Sequence, residues 1–219
     1  MTAPRSSPAV DRARSAGPCL PDDRTEAARP GRPRSAEADR AIDAAALDLF
    51  AECGFDGVTI EAVAQRAGVA RSTVYRRYPC KADLLVDAAA RLTDEVRTVP
   101  DTGTIEGDLL EVGRQLRHML TATQVGRTVP AAIAAAARHP ELATAHRAMV
   151  RQRRGEFKVV IARAVERDEL PADVDADLLL DLVLAPLFYR VLLSGEPVTD
   201  RYLRRIVGSA VEGARRGDG

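Results

Sequence analysis

Apolar positions along this chain recur at helical spacing nearly throughout, and nowhere do they alternate as a strand would require. From about residue 36, Ile42, Ala45, Ala46, Leu49, Phe50 and Cys53 form one face of a first helix. Ser35 is its natural N-cap, Glu37 and Asp39 suit its positive end, and Gly54 suits the C′ position that stops it. On this pattern Cys53 is a small buried apolar side chain. After the turn Phe55-Asp56-Gly57, Thr59 caps a short second helix with Ile60, Val63, Ala64 and Ala67 inward. Gly68 permits a tight bend, and Val69 fills the angle it makes. A third helix starts near Ala70 and must end before Pro79, so it is only about eight residues long. Val74 is its inward position, leaving Arg71, Ser72, Thr73, Tyr75, Arg76 and Arg77 on the other faces. Such a helix is unstable alone and must be held by its neighbours.

Downstream, a fourth helix runs from 82 to about 99 with Leu84, Leu85, Ala88, Leu92 and Val96 as its seam, until Pro100-Asp101-Thr102-Gly103 breaks it. Helical patterns follow over 104–121, 130–137, 140–167, 176–193 and 200–216. The predicted fold is all-α. The 176–193 segment is apolar on nearly every side: Leu178, Leu182, Ala185 and Leu192 face one way, Leu179, Val183, Pro186 and Leu193 another. An all-round apolar helix must be covered on all sides. Little chain remains to do this, so a second copy is expected to pack here. Tyr202, Ile206, Val207 and Val211 of the last helix would complete a two-fold four-helix interface, the alternative being a purely intrachain core.

Composition narrows the class without naming it. The 219 residues are 46% apolar and 29% charged with zero net charge, so a polyanion partner would need a local basic patch. Residues 60–81 supply one: Arg66, Arg71, Arg76, Arg77 and Lys81 against the single acid Glu61. Clustered cations at this density suit phosphates, whose neutralisation releases condensed counterions. Three scattered cysteines argue against a disulfide framework. No secretory signal is visible, and the greasiest run, 178–193, contains Asp181, Pro186 and Arg190 and is too short to span a bilayer. A soluble cytoplasmic protein without a membrane partner is expected. Residues 1–34, rich in Pro and Arg, cannot bury enough surface to order themselves. Within them Arg32 and Arg34 sit in an extended Arg/Pro run that could lie in a minor groove; otherwise it is a solvated tail.

Two short helices joined by Ala67-Gly68-Val69, the second exposing Arg, Ser, Thr and Tyr, have the form of a helix-turn-helix. Thr59-Ile60, Val63-Ala64, Ala67-Gly68-Val69, Ser72-Thr73-Val74-Tyr75, Tyr78-Pro79, Lys81 and Leu84-Leu85 together resemble the N-terminal domain of TetR-family transcriptional regulators, over about 36–90. The resemblance implies a helix-turn-helix domain at 35–81 and a helical ligand-binding and dimerisation domain at 82–219. It places Arg71, Ser72 and Thr73 at base edges or nearby phosphates, and Thr59, Tyr75 and Lys81 on the DNA backbone, with Arg76 and Arg77 also touching DNA. Ala70 departs from the polar N-cap common in the family. The resemblance further implies dimerisation through the last two long helices. It also implies a ligand cavity among the C-terminal helices, for which Met119, Ile133, Phe157, Ile161, Leu184 and Phe188 are candidate linings; each could equally be plain core.

Other chemistry is sparse. Cys80 at the start of the fourth helix, beside Lys81, could be an activated thiol, although a tolerated small residue is the simpler reading. His139 and His146 lack metal-ligand spacing, and Pro140 suits a helix start. Neither a cofactor nor a catalytic motif is evident. The expected function is a ligand-responsive repressor that binds a near-palindromic double-stranded DNA operator as a homodimer and answers to an unidentified small-molecule effector. The alternatives are an architectural DNA-binding protein without a ligand, and an enzyme with a DNA-binding appendage.

Overall fold

The computed structural model describes residues 36–94 and 98–217, and among these every regular element is helical. The helices are α1 (Ala36–Gly57), α2 (Ile60–Arg66), α3 (Arg71–Tyr75), α4 (Lys81–Asp94), α5 (Ile105–Ala122), α6 (Gln124–Ala136), α7 (Pro140–Glu166), α8 (Ala176–Phe188) and α9 (Asp200–Arg216). Ser35, Val96 and the arginines Arg32 and Arg34 lie outside the described residues.

Capping residues start most of these helices. The hydroxyls of Thr59, Thr104, Thr123 and Thr199 accept from backbone N–H groups in the first turn of α2, α5, α6 and α9, and the Asp175 carboxylate does so for α8. Each satisfies a donor that has no partner within its helix. Gly54 (φ 67°) kinks α1 before its last turn and Gly68 (φ 66°) bends the chain between α2 and α3; both lie in the left-handed region that favours glycine.

Several expectations need correction. Cys53 is exposed, its thiol donating to the Leu49 carbonyl, because the chain turns at Gly54 before the core face is extended that far. Helix α3 has five residues rather than eight, closing with Tyr78 N–H bonded to the Val74 carbonyl. Residues 98–100 are not helical, so α4 does not reach 99. Helix α6 starts at Gln124, not at Pro130: the Thr123 cap begins it, and Pro130 lies within the helix. Pro130 suggested a start because proline suits the first turn. Regular α-helix in α8 ends at Phe188, after which residues 189–194 form a π-helical turn.

Ile42, Leu47, Phe50, Val63, Val74 and Leu84 form one core among α1–α4. That core extends to Val125 and Ala135 of α6 and Leu142 of α7. A second core gathers Ile105, Leu109, Ile161, Leu179, Leu180 and Val207 from α5 and α7–α9. The N-terminal helices are therefore seated on α6 and α7 as well as on α4. Leu47, off the apolar stripe read from the sequence, is buried because α1 packs against α6 as well as α4. Polar ties reinforce the seating: Gln124 Nε2 donates to the Ala44 carbonyl (3.1 Å) and Asp48 (2.7 Å). His139, at the start of α7, stacks on Phe55 with ring centroids 4.5 Å apart and stands 3.2 Å from Asp56.

Candidate nucleic-acid interface

The fully buried side chain of Val74 holds α3 from beneath, and the buried Tyr78 follows it. Ala70, the N-cap, offers no side-chain acceptor. Arg71, Ser72, Tyr75 and Arg76 are exposed, Thr73 is half-buried, and Thr59 is exposed at the start of α2. The residues expected to meet DNA at α2 and α3 thus lie on one short supported segment.

Side-chain partners divide the basic cluster. Arg66 pairs with Glu52 at 2.7 Å, and Arg77 pairs with Asp39 on α1. Lys81 donates to the Phe55 carbonyl at 2.6 Å, with its ammonium 4.4 Å from the centre of the Phe55 ring. The Tyr75 hydroxyl donates to Glu61 at 2.6 Å; this bond lowers the Glu61 pKa and raises that of Tyr75. Among the described residues, no ion pair engages Arg71 or Arg76. Arg77 and Lys81, read from the sequence as DNA contacts, have intramolecular partners that brace the head. The Cys80 thiol donates to Asp83 at 3.1 Å.

Beneath this surface, Asp43 of α1 is almost fully buried and accepts two bonds from Arg91 of α4, at 2.5 and 2.7 Å. Arg91 also donates to the Tyr78 hydroxyl at 2.5 Å, and the Asp43 hydrogen bond is the largest influence raising the guanidinium pKa. A buried carboxylate requires such a partner. The network joins α1, the exit of α3 and the far end of α4, a connection absent from the sequence reading.

Behind the head lies a cavity of about 710 Å³ bounded by α4–α8. Met119, Ile133, Phe157, Leu184 and Phe188 line it, whereas Ile161 is packed in the second core. Its mostly apolar wall with a few polar groups is typical of a small-molecule site. Its polar members escaped the sequence reading, among them Thr93 at the end of α4, Gln115 on α5, and His146 and Arg153 on α7. Their only signal was spacing, since His146, Met149, Val150, Arg153 and Phe157 share one face of α7. Burial first, and then Arg153, lower the His146 pKa. Among the described residues no three potential metal ligands cluster.

On the outer side of the molecule, Leu178, Leu182, Ala185, Tyr189 and Leu193 leave an apolar stripe in solvent. Leu178 and Leu182 are each 47% exposed and Leu193 is 76% exposed. Val207 and Val211, expected at an intersubunit surface, are instead buried within the chain, because α9 turns that face toward α5 and α8. Among the described residues, no helix is long and apolar enough to cross a membrane.

Comparison with known proteins agrees with this geometry. Residues 42–92 match the family described as bacterial regulatory proteins, tetR family, and residues 99–210 match the Tetracyclin repressor-like C-terminal domain. The uncharacterized HTH-type transcriptional regulator YdeS of Bacillus subtilis is 33% identical over 84% of this chain and 93% of its own length. The DNA-binding transcriptional repressor TetR of Mycobacteroides abscessus is 32% identical over 76% of this chain and 88% of its own. The crystal structure of the TetR family transcription regulator SCO0332 superposes with a TM-score of 0.67 at 31% identity, over 81% of this chain and 98% of that one. The chain belongs to the TetR family and is a DNA-binding transcriptional regulator.

Proposed function

We propose that the protein is a cytoplasmic, ligand-responsive repressor that grips a near-palindromic operator as a homodimer. The observation that carries the DNA contact is the division of charge on the head. Arg66, Arg77 and Lys81 are committed within the chain, while Arg71 in α3 and Arg76 at its C-cap are exposed without an ion pair among the described residues. In this reading Arg71, with Ser72 and Thr73, reads base edges, since a guanidinium can pair bidentately with guanine. Arg76, Tyr75 and Thr59 hold phosphates, which fix register. Arg77 and Lys81 act mainly by holding the head in shape. Arg32 and Arg34 would add minor-groove contacts.

The uncovered stripe on α8 supports dimerisation. Large contiguous apolar surface in water marks an interaction surface, and a two-fold interface would cover Leu178, Leu182 and Ala185 with their equivalents. The small, exposed Gly208 and Ser209 of α9 would let the second copy approach closely. The 710 Å³ cavity supports an effector, because α4 is one of its walls and also the support of the DNA-binding head. A ligand that favours one arrangement of these helices would change the separation of the two heads. Footprinting of the full chain on DNA upstream of its own gene should reveal two protected half-sites related by a two-fold axis. Absence of any protected site would overturn the proposal.

A further inference from the structure

The cavity is apolar along most of its wall, and among its polar groups Arg153 and Gln115 reach the end of α4 and the segment just after it. Arg153 of α7 lines the cavity and donates to the Ala90 carbonyl at 3.0 Å, with the Asp94 carboxylate at 3.4 Å. Both acceptors lie in the last turn of α4. Gln115 of α5, another wall residue, is bonded to Thr98 just beyond that helix, at 3.3 Å. Its Oε1, which can only accept, is buried without a hydrogen-bond partner. His146 stands on the Arg153 face of α7, where burial first and then the guanidinium lower its pKa, and no hydrogen bond among the described residues engages its ring.

We infer that this corner is the anion seat of an effector site, and that the effector is a small monocarboxylate with an apolar body whose carboxylate engages Arg153. The inference rests on the effector reading of the cavity and specifies its chemistry. A guanidinium fork matches a planar carboxylate with two parallel bonds. The neutral His146 ring and the second N–H of Gln115 Nε2, whose first is bonded to Thr98, can each donate one more hydrogen bond. A single negative charge suits the site, because the other wall cations are already paired, Arg114 and Arg117 with Asp200 and Arg154 with Asp177 and Asp181, while Glu111 and Asp181 oppose a polyanion. Met119, Met149, Phe157 and Phe188 suit the apolar body.

The same contact supplies a route to the head. In the structure Arg153 ties α7 to the end of α4, partly through Asp94, whose side chain is about half exposed. An ion pair exposed to water is weak, and one shielded inside a cavity is stronger. A carboxylate within the cavity therefore draws Arg153 from α4 and frees the helical turn that carries Arg91. Arg91 holds both Tyr78, at the exit of α3, and Asp43 of α1. Seating of the ligand is thereby linked to the recognition helix.

The test uses the full chain and three probes of equal length, decanoate, 1-decanol and decylamine, titrated by calorimetry without DNA. Decanoate should bind at least about tenfold more tightly than the other two. Arg153→Gln should abolish that preference while leaving decanol affinity unchanged. Should Arg153→Gln fail to fold, Gln115→Leu should still weaken decanoate selectively, and the three-probe comparison on the wild type needs no variant. Hydrogen exchange at residues 90–94 should quicken with decanoate and not with decanol. Equal affinity for all three probes, preference retained in Arg153→Gln, or unchanged exchange at 90–94 would each overturn the inference. The regulatory reading fails separately, if a DNA footprint is absent whether or not decanoate is present.

Discussion

At the scale of single residues, the head is organised by which charges are already satisfied. Arg91 and Asp43 illustrate the energetics: the carboxylate is almost fully buried, while its partner keeps 42% of its side chain exposed. Removing Arg91 strands a buried charge, so Arg91→Ala should destabilise the protein by about 3 kcal/mol, the lower end for a broken buried pair. A urea midpoint shifted by less than a third of that would contradict the assignment. Residue types alone could not distinguish Arg77 and Lys81 from Arg71 and Arg76. All four read as cations on a basic segment, and the distinguishing partners, Asp39 and Phe55, are distant in sequence. Folding brings them together, so the sequence shows the basic cluster but not its internal compensation.

At the scale of elements, apolar spacing located α2, α5 and α9 close to their observed bounds, with Thr59 also legible as the cap of α2. Helix α6 starts at the Thr123 cap, well before the 130–137 pattern expected from the sequence, and carries Pro130 within it. Its first turn carries another constraint that the sequence does not display. A Cβ on Gly126 would collide with the backbone of Met119 and Leu120 at the end of α5. Gly126→Ala should therefore cost about 1–3 kcal/mol through overpacking, measurable by thermal denaturation, although alanine is the better helix former. An unchanged Tm would show that the α5–α6 approach is looser than described. The start of α9 is tied to α5 by Asp200, which accepts from Arg114 at 2.7 Å and Arg117 at 2.6 Å. These two bonds depress its pKa from 3.8 to about 2. A depressed carboxylate stabilises the fold above its unfolded pKa and loses that contribution as pH falls through its folded pKa. The Tm advantage of wild type over Asp200→Asn should thus be full at neutral pH and shrink between about pH 4 and pH 2. A difference that stayed constant over that range would refute the role given to this pair.

At the scale of the whole molecule, the sequence pointed to a covered α8 but mistook part of its partner surface. Leu178, Leu182 and Ala185 do face solvent, yet Val207 and Val211 are consumed by the chain's own core. Periodicity identifies an apolar face without saying which neighbour covers it. The cavity was only partly legible for the same reason, since its walls come from five helices and its polar groups are far apart in the chain. If the α8 stripe joins two copies, Leu182→Glu should yield folded monomers in analytical ultracentrifugation and lose two-headed DNA binding. A dimer that persisted would move the interface elsewhere. The proposed division of labour is that Arg71 in α3 and Arg76 at its C-cap grip DNA while the compensated cations brace the head. Its most direct test is the salt dependence of affinity for a footprinted site, measured for wild type, Arg76→Ala and Arg66→Ala. Wild type should give a steeply negative slope of log K against log salt. Arg76→Ala should reduce its magnitude by about one per head, roughly two for a dimer, and Arg66→Ala should leave it unchanged. A wild-type slope near zero, or equal effects of the two substitutions, would contradict the account.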